Sequence, residues 1–342
     1  MEQESNPRRA LAGAMDFDRL QWGTLRDWGQ LVRLPNVFTL FGDCVAAAIV
    51  AQGMLGPLTA VVPVILASLG AYWAGMILND VVDLEEDREY RPTRPLAAGR
   101  ISPALAGHVA TGMLLLSPLL ILGVATLHRA QPLGMGAAFL VAVLLSLAVR
   151  SYNSPLKRTL LGPPVMGLCR ALNILMVGFV LLAIQRAPSP PSGGELETIQ
   201  PLLALAAGIG LYIFGVTVYA RREEQESSPS SLGFGIFLEI VGLVIIGFLP
   251  YWAEAGRSWT LSPQQGYPLL LALIGLTVVN RGVAGVMHPV PRKVQLAVKH
   301  AILTLILIDA AVVLMWAGPW YGCAVVALLL PALSSALRFR ST

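Results

Sequence analysis

Ten apolar stretches, each closed by a short polar or basic interval, fill the chain from Asn36 almost to its end: 36–54, 58–80, 103–125, 131–149, 162–184, 200–220, 232–252, 266–287, 297–317 and 319–337. A helix that crosses a bilayer needs roughly 20 mostly apolar residues. In hydrocarbon the backbone must satisfy its own hydrogen bonds, so each stretch predicts a membrane-spanning helix. The first 34 residues follow another rhythm. From Phe17 to Leu34, apolar Phe17, Leu20, Leu25, Trp28, Leu31 and Val32 interleave with Asp18, Arg19, Arg26 and Asp27, a spacing that predicts an interfacial helix. No cleavable leader is expected, because the first apolar stretch begins only after this polar segment. The expected fold class is all-α: a polytopic membrane bundle of nine to ten helices around a central cavity.

The polar intervals suggest a coarse repeat. An acidic cluster follows the second span and another charged run follows the sixth, while basic loops follow the fourth and eighth. The expected organisation is a cytoplasmic segment 1–34 and a membrane domain 35–342, with halves at about 35–160 and 161–317 and an extra C-terminal span at 319–337.

Composition agrees with this class. The 342 residues are 55% hydrophobic and 13% charged, and mean hydropathy is +0.67. The net charge of +4 follows from loop bias, since 20 of the 24 Lys and Arg fall on one side if the N-terminus is cytoplasmic. Both termini then read as cytoplasmic, and the expected setting is a bacterial inner membrane. With no separate basic domain, nucleic acid is not an expected partner. Cys44, Cys169 and Cys323 lie in apolar stretches without metal-type spacing and read as packing residues. The four histidines form no ligand pattern.

Three clusters carry chemistry. Asn79, Asp80, Asp83 and Asp87 end the second span; continued as a helix, most of their oxygens share one face, as a hard cation requires. Arg88, Arg91, Arg94 and Arg100 follow at once, and cations beside a Mg²⁺ site suit a phosphate-bearing substrate. Tyr152, Lys157 and Arg158, after the fourth span, could assist a departing diphosphate. Arg170 and Asn173 stand inside the fifth span, where an arginine needs a polar interior or a structural partner such as Asp43. Asp43, Glu239 and Asp309 are lone acids within spans.

Asn79-Asp-x-x-Asp-x-x-x-Asp87 with Arg94-Pro95, Gly99 and Ile101-Ser102 resembles the first aspartate-rich motif of the UbiA superfamily of intramembrane prenyltransferases. Leu31-Val-Arg-Leu-Pro-Asn36, the 152–158 loop and Gly167-x-x-Arg170-x-x-Asn173 are similar to that family as well. The resemblance implies a cavity open sideways to lipid, bound Mg²⁺, a polyprenyl diphosphate donor and a lipophilic or aromatic acceptor in contact with membrane lipid. It implies that Asn79, Asp80 and Asp83 make the first metal–diphosphate contact, that Asp87 and Arg94 support it, and that Lys157 and Arg158 bind phosphate. Asn36, Arg170 and Asn173 are further candidates for substrate binding.

Where the family carries a second aspartate motif, this chain reads Tyr219-Ala-Arg-Arg-Glu-Glu-Gln-Glu-Ser227. Glu223 takes the first acidic position as a candidate ligand, and Arg221 and Arg222 are candidates to neutralise phosphate. The expected function is Mg²⁺-dependent prenyl transfer; the alternatives are a terpene cyclase on the same scaffold or a non-catalytic isoprenoid-binding protein with a degenerate second site.

Overall fold

The computed structural model describes residues 21–185, 195–223, 227–253 and 257–338. Among them the chain is helical apart from one antiparallel bridge, Trp22 with Ile101. Nine helical segments are long and apolar enough to cross a membrane: Leu34–Gln52, Leu58–Val82, Pro103–Leu127, Pro132–Tyr152, Gly162–Gln185, Ile199–Ala220, Pro229–Gly247, Gly266–Met287 and Pro291–Ala317. The corresponding α-helices are α2 (Val37–Gln52), α3 (Leu58–Val82), α5 (Pro103–Leu127), α6 (Pro132–Tyr152), α7 (Gly162–Gln185), α8 (Glu195–Ala220), α9 (Pro229–Gly247), α10 (Gly266–Met287) and α11 (Pro291–Ala317). Short helices α1 (Leu25–Leu31) and α4 (Leu84–Tyr90) precede and follow the first pair, and α12 (Pro319–Val326) and α13 (Leu329–Arg338) end the described chain.

The spans are apolar on all sides, so no amphipathic stripe tells them which face to bury. Small residues make that choice. A Cβ at Gly215 on α8 would sit 2.5 Å from the Gly235 carbonyl of α9, and one at Gly242 would sit 2.5 Å from the Gly208 carbonyl. Backbones therefore meet directly along the α8–α9 crossing. Gly167 and Gly210 do the same between α7 and α8. The innermost spans are the first and the ninth, each with 67% of its apolar window buried; the fourth and eighth, at 28%, form the outer face. α2 packs on α11, which closes the circuit of helices.

Two expectations are corrected. The single tenth span is broken: α12 ends at Val326, residues 327–328 form a turn, and α13 starts at Leu329. Pro331 has no N–H to give the Ala327 carbonyl, so one rung of the helical ladder is missing beside this turn. α12 stays against α11, with Gly322 against Leu314, while α13 returns to the start of the first span and packs on the 3₁₀ turn Leu34–Asn36.

The N-terminal interfacial helix is also shorter than expected. Its described part covers only Leu25–Leu31, capped by Thr24, whose side chain accepts from the Asp27 amide while the Asp27 carboxylate accepts from the Thr24 amide. Phe17, Asp18, Arg19 and Leu20 lie outside the described residues. The helix stops because the chain turns sharply at Arg33, which has φ +49°.

Candidate active site

The second span does not run unbroken through its acidic residues. α3 ends at Val82, Asp83 has φ −86° and ψ 6°, and α4 resumes at Leu84. The break is slight, since the Asp87 amide still donates to the Asp83 carbonyl at 2.8 Å. Each acid of the motif meets at least one cation, and Arg94 is shared between two of them. Asp80 meets Arg33 at 3.4 Å and Arg94 at 3.5 Å; Asp83 pairs with Lys157; Asp87 accepts two hydrogen bonds from Arg94, at 2.8 and 3.0 Å, with Arg91 at 3.6 Å. Asn79 bridges the pair, donating to Asp83 at 3.3 Å and Asp80 at 3.4 Å. The turn after α4 brings Arg94 back over α3; its reversal at Gly99 uses φ +70°, which glycine adopts without strain.

These side chains rim a cavity of about 490 Å³ within the bundle. Of the residues singled out from the sequence, Asn36, Asn79, Asp83, Arg94, Tyr152, Lys157, Arg170, Asn173, Arg221 and Glu223 line it. Asp80 and Asp87 do not. They are buried behind the rim, where they hold Arg33, Arg91 and Arg94. Asn79 and Asp83 thus face the cavity and Asp87 stands in support, as expected for these three, while Asp80, expected beside Asn79 and Asp83, stands with Asp87 behind the rim.

Arg158 and Arg222 are likewise absent from the lining. Arg158 is 69% exposed and pairs loosely with Glu86 at 3.6 Å, because the 3₁₀ turn Pro155–Arg158 points Lys157 into the cavity and its neighbour Arg158 away from it. Ser227 donates to the Arg222 carbonyl and fastens the loop instead of facing the cavity. Glu224, Gln225 and Glu226 lie outside the described residues.

Several lining residues were not chosen from the sequence. Arg91, one of the cations expected beside the acidic cluster, reaches the cavity, and so does Arg33, to which the sequence assigns no role beyond its place in the Leu31–Asn36 stretch. For Arg33 the signal is conformational: a positive φ in a residue with a side chain costs energy and marks an enforced direction. Thr39, Ser68, Tyr72 and Asn153 carried no signal, because a single hydroxyl or amide within a span is common. Cys169 lines the cavity and also packs against the core, in keeping with its reading as a packing residue.

The inner wall holds a second polar cluster. Arg170 forms an ion pair with Asp43 and donates to Thr39 at 2.9 Å. Asp43 is thus its structural partner. Asp309, from α11, lies against Asp43, and both carboxylates are fully buried. Ser68 donates to Asn173 at 2.6 Å. At the rim, burial raises the pKa of Glu223, partly offset by Arg91, Lys299 and Arg33.

Comparison with known proteins places this arrangement. The model of the family described as UbiA prenyltransferase family matches residues 37–280. Two curated proteins, both called digeranylgeranylglyceryl phosphate synthase, are similar over part of their length. The one from Ignicoccus hospitalis is 33% identical over 139 residues, 40% of this chain and 41% of that protein; the one from Sulfurisphaera tokodaii is 27% identical over 157 residues, 45% and 52%. The chain thus spans about half the length of these relatives or less, and their archaeal source gives no support to the expected bacterial setting. A solved digeranylgeranylglyceryl phosphate synthase structure superposes with TM-score 0.60 at 18% identity, over 85% of this chain and 98% of the other. A UbiA homologue from Archaeoglobus fulgidus bound to DMAPP and Mg²⁺ gives 0.51 at 15% identity, over 88% and 99%. The structures agree in fold, and the family model covers most of the membrane domain, with the first motif and most of the cavity lining: the chain is an integral membrane protein that belongs to the UbiA prenyltransferase family.

Proposed function

We propose that this protein transfers a prenyl group from its diphosphate to a lipophilic or aromatic acceptor inside the cavity. The observation that carries this reading is the convergence of Arg33, Arg91, Arg94, Lys157 and Arg221 with Asn79 and Asp83 at one mouth of a cavity whose walls are otherwise mostly apolar. A diphosphate suits the cationic rim, and an isoprenoid tail suits the walls of Ala71, Leu145, Val149, Ile213 and Val216.

Among the described residues no group of three His, Cys, Asp or Glu converges on one point, so a cage made by protein alone is not formed. Mg²⁺ usually takes one or two carboxylates together with substrate phosphate and water. Asn79, Asp83 and Glu223 line the same cavity and fit that mode. Bound there with the diphosphate, the ion would neutralise leaving-group charge.

The remaining work falls to the side chains. Arg33, Arg94 and Lys157 hold the phosphate oxygens, with Asp80 and Asp87 fixing the two arginines. The allylic C–O bond breaks and its electron pair leaves with the diphosphate. The acceptor's carbon or oxygen supplies the pair for the new bond and then releases a proton. Apolar walls keep water from the cation in the interval.

The test is incubation of the purified protein with labelled geranyl diphosphate, Mg²⁺ and lipid extract, followed by product analysis. A labelled, Mg²⁺-dependent lipid product absent with Asp83→Asn is expected. A cyclised hydrocarbon alone would favour the cyclase alternative, and no conversion with intact diphosphate binding would favour the non-catalytic one.

A further inference from the structure

The cavity has two polar ends of different charge. On α3 its lining runs from Asp83 back to Ser68, about 22 Å at 1.5 Å per residue. The mouth holds five cations. The inner end holds Arg170, about 12 Å into α7 from Gly162, with Thr39, Ser68, Tyr72 and Asn173 around it. An isoprenoid tail has no use for hydrogen-bond donors, and polar groups at this depth are costly without partners.

We propose that this inner end is a second binding site, which takes a neutral hydroxyl or carbonyl group of the acceptor; the inference rests on the prenyl-donor reading and specifies the co-substrate. Charge counting carries it. One guanidinium stands against two buried carboxylates, Asp43 in an ion pair with it and Asp309 beside Asp43. With Asp43 ionised in its pair with Arg170, the cluster is neutral or negative whatever the state of Asp309, so a phosphate or carboxylate gains no attraction there. Hydrogen-bond donors nevertheless remain. Of the five guanidinium N–H groups, Nε faces Asp43 and one on Nη2 goes to Thr39, leaving others on a side chain that lines the cavity. Asp309, contributed by the last long span, thereby sets the charge preference of a site made by α2, α3 and α7.

The test uses the full chain in detergent, loaded with Mg²⁺ and geranyl thiolodiphosphate, a slowly reacting donor analogue, and two probes of like shape: p-cresol, a neutral hydroxyl, and p-toluate, a carboxylate. Calorimetry is expected to show p-cresol binding at least tenfold tighter than p-toluate. Arg170→Met should weaken p-cresol about tenfold and leave thiolodiphosphate affinity within twofold. Asp43→Asn combined with Asp309→Asn leaves the guanidinium uncompensated and should invert the preference toward p-toluate. Equal or tighter p-toluate binding by the unaltered protein overturns the proposal, even if every variant misfolds. A parallel loss of p-cresol and thiolodiphosphate in Arg170→Met also overturns it, since the two ends would then be one site. Failure of thiolodiphosphate to bind at all rejects the prenyl-donor reading instead, and the p-cresol to p-toluate ratio without it still decides the inner site.

Discussion

Arg94 illustrates how a single residue serves the mouth. Its Nη1 alone reaches both Asp87 oxygens and, more loosely, Asp80, which leaves other guanidinium N–H groups for a ligand in the cavity it lines; a lysine has one ammonium to serve both. Arg94→Lys is expected to lower turnover by about 10²-fold, the scale of one lost donor in a preorganised site, with little change in melting temperature. Steady-state assays on labelled geranyl diphosphate check this. Glu223 gives a pH signature. Burial lifts its pKa, so its ionised form, the form a metal needs, is reached only above the usual glutamate range. Mg²⁺-dependent diphosphate affinity should therefore rise with pH through that lifted value, and the limb should vanish in Glu223→Gln. The linked stability has the opposite sense: its contribution is full below the ordinary glutamate value and lost as pH rises through the lifted one. A profile that is the same in both proteins would place Glu223 outside the metal site. Residue types and spacing made Asn79, Asp83, Arg94 and Lys157 legible in the sequence. Arg33 was harder to read, because its direction comes from a left-handed turn that no spacing rule announces.

Nine of the ten spans could be read from hydropathy, since length and apolarity are local properties. What hydropathy does not carry is which faces meet, and there the glycines decide. Gly215→Ala forces a Cβ into the Gly235 carbonyl and the Glu239 amide and is expected to cost about 1–3 kcal/mol, as overpacking usually does. Gly233→Ala on the adjacent helix α9 meets nothing within 4 Å and should be neutral or slightly stabilising. Thermal unfolding in one detergent compares the two. The break at Ala327–Leu328 escaped the hydropathy reading because the stretch Pro319–Ser335 is apolar on average; the local marker is Pro331, in the first turn of α13. The acidic cluster behaved similarly, with a helical repeat that predicted one face where a small interruption at Asp83 made two.

At the scale of the molecule, the loops after the second, fourth and sixth spans meet at one mouth although they lie far apart in the chain. Single cysteines at Tyr90 and Arg222 should therefore react with an impermeant maleimide from the same side of sealed vesicles, and labelling from opposite sides would contradict the arrangement. The return of α13 to the 3₁₀ turn Leu34–Asn36 has a practical consequence. That turn lies between Arg33 and Asn36, two residues of the rim, so the tail acts as a brace behind a part of the site to which it contributes no atom. A protein shortened after Ala317, or one carrying a bulky fusion directly on α13, should keep its long spans yet bind prenyl diphosphate more weakly, which makes the far end of the chain a poor place for a tag.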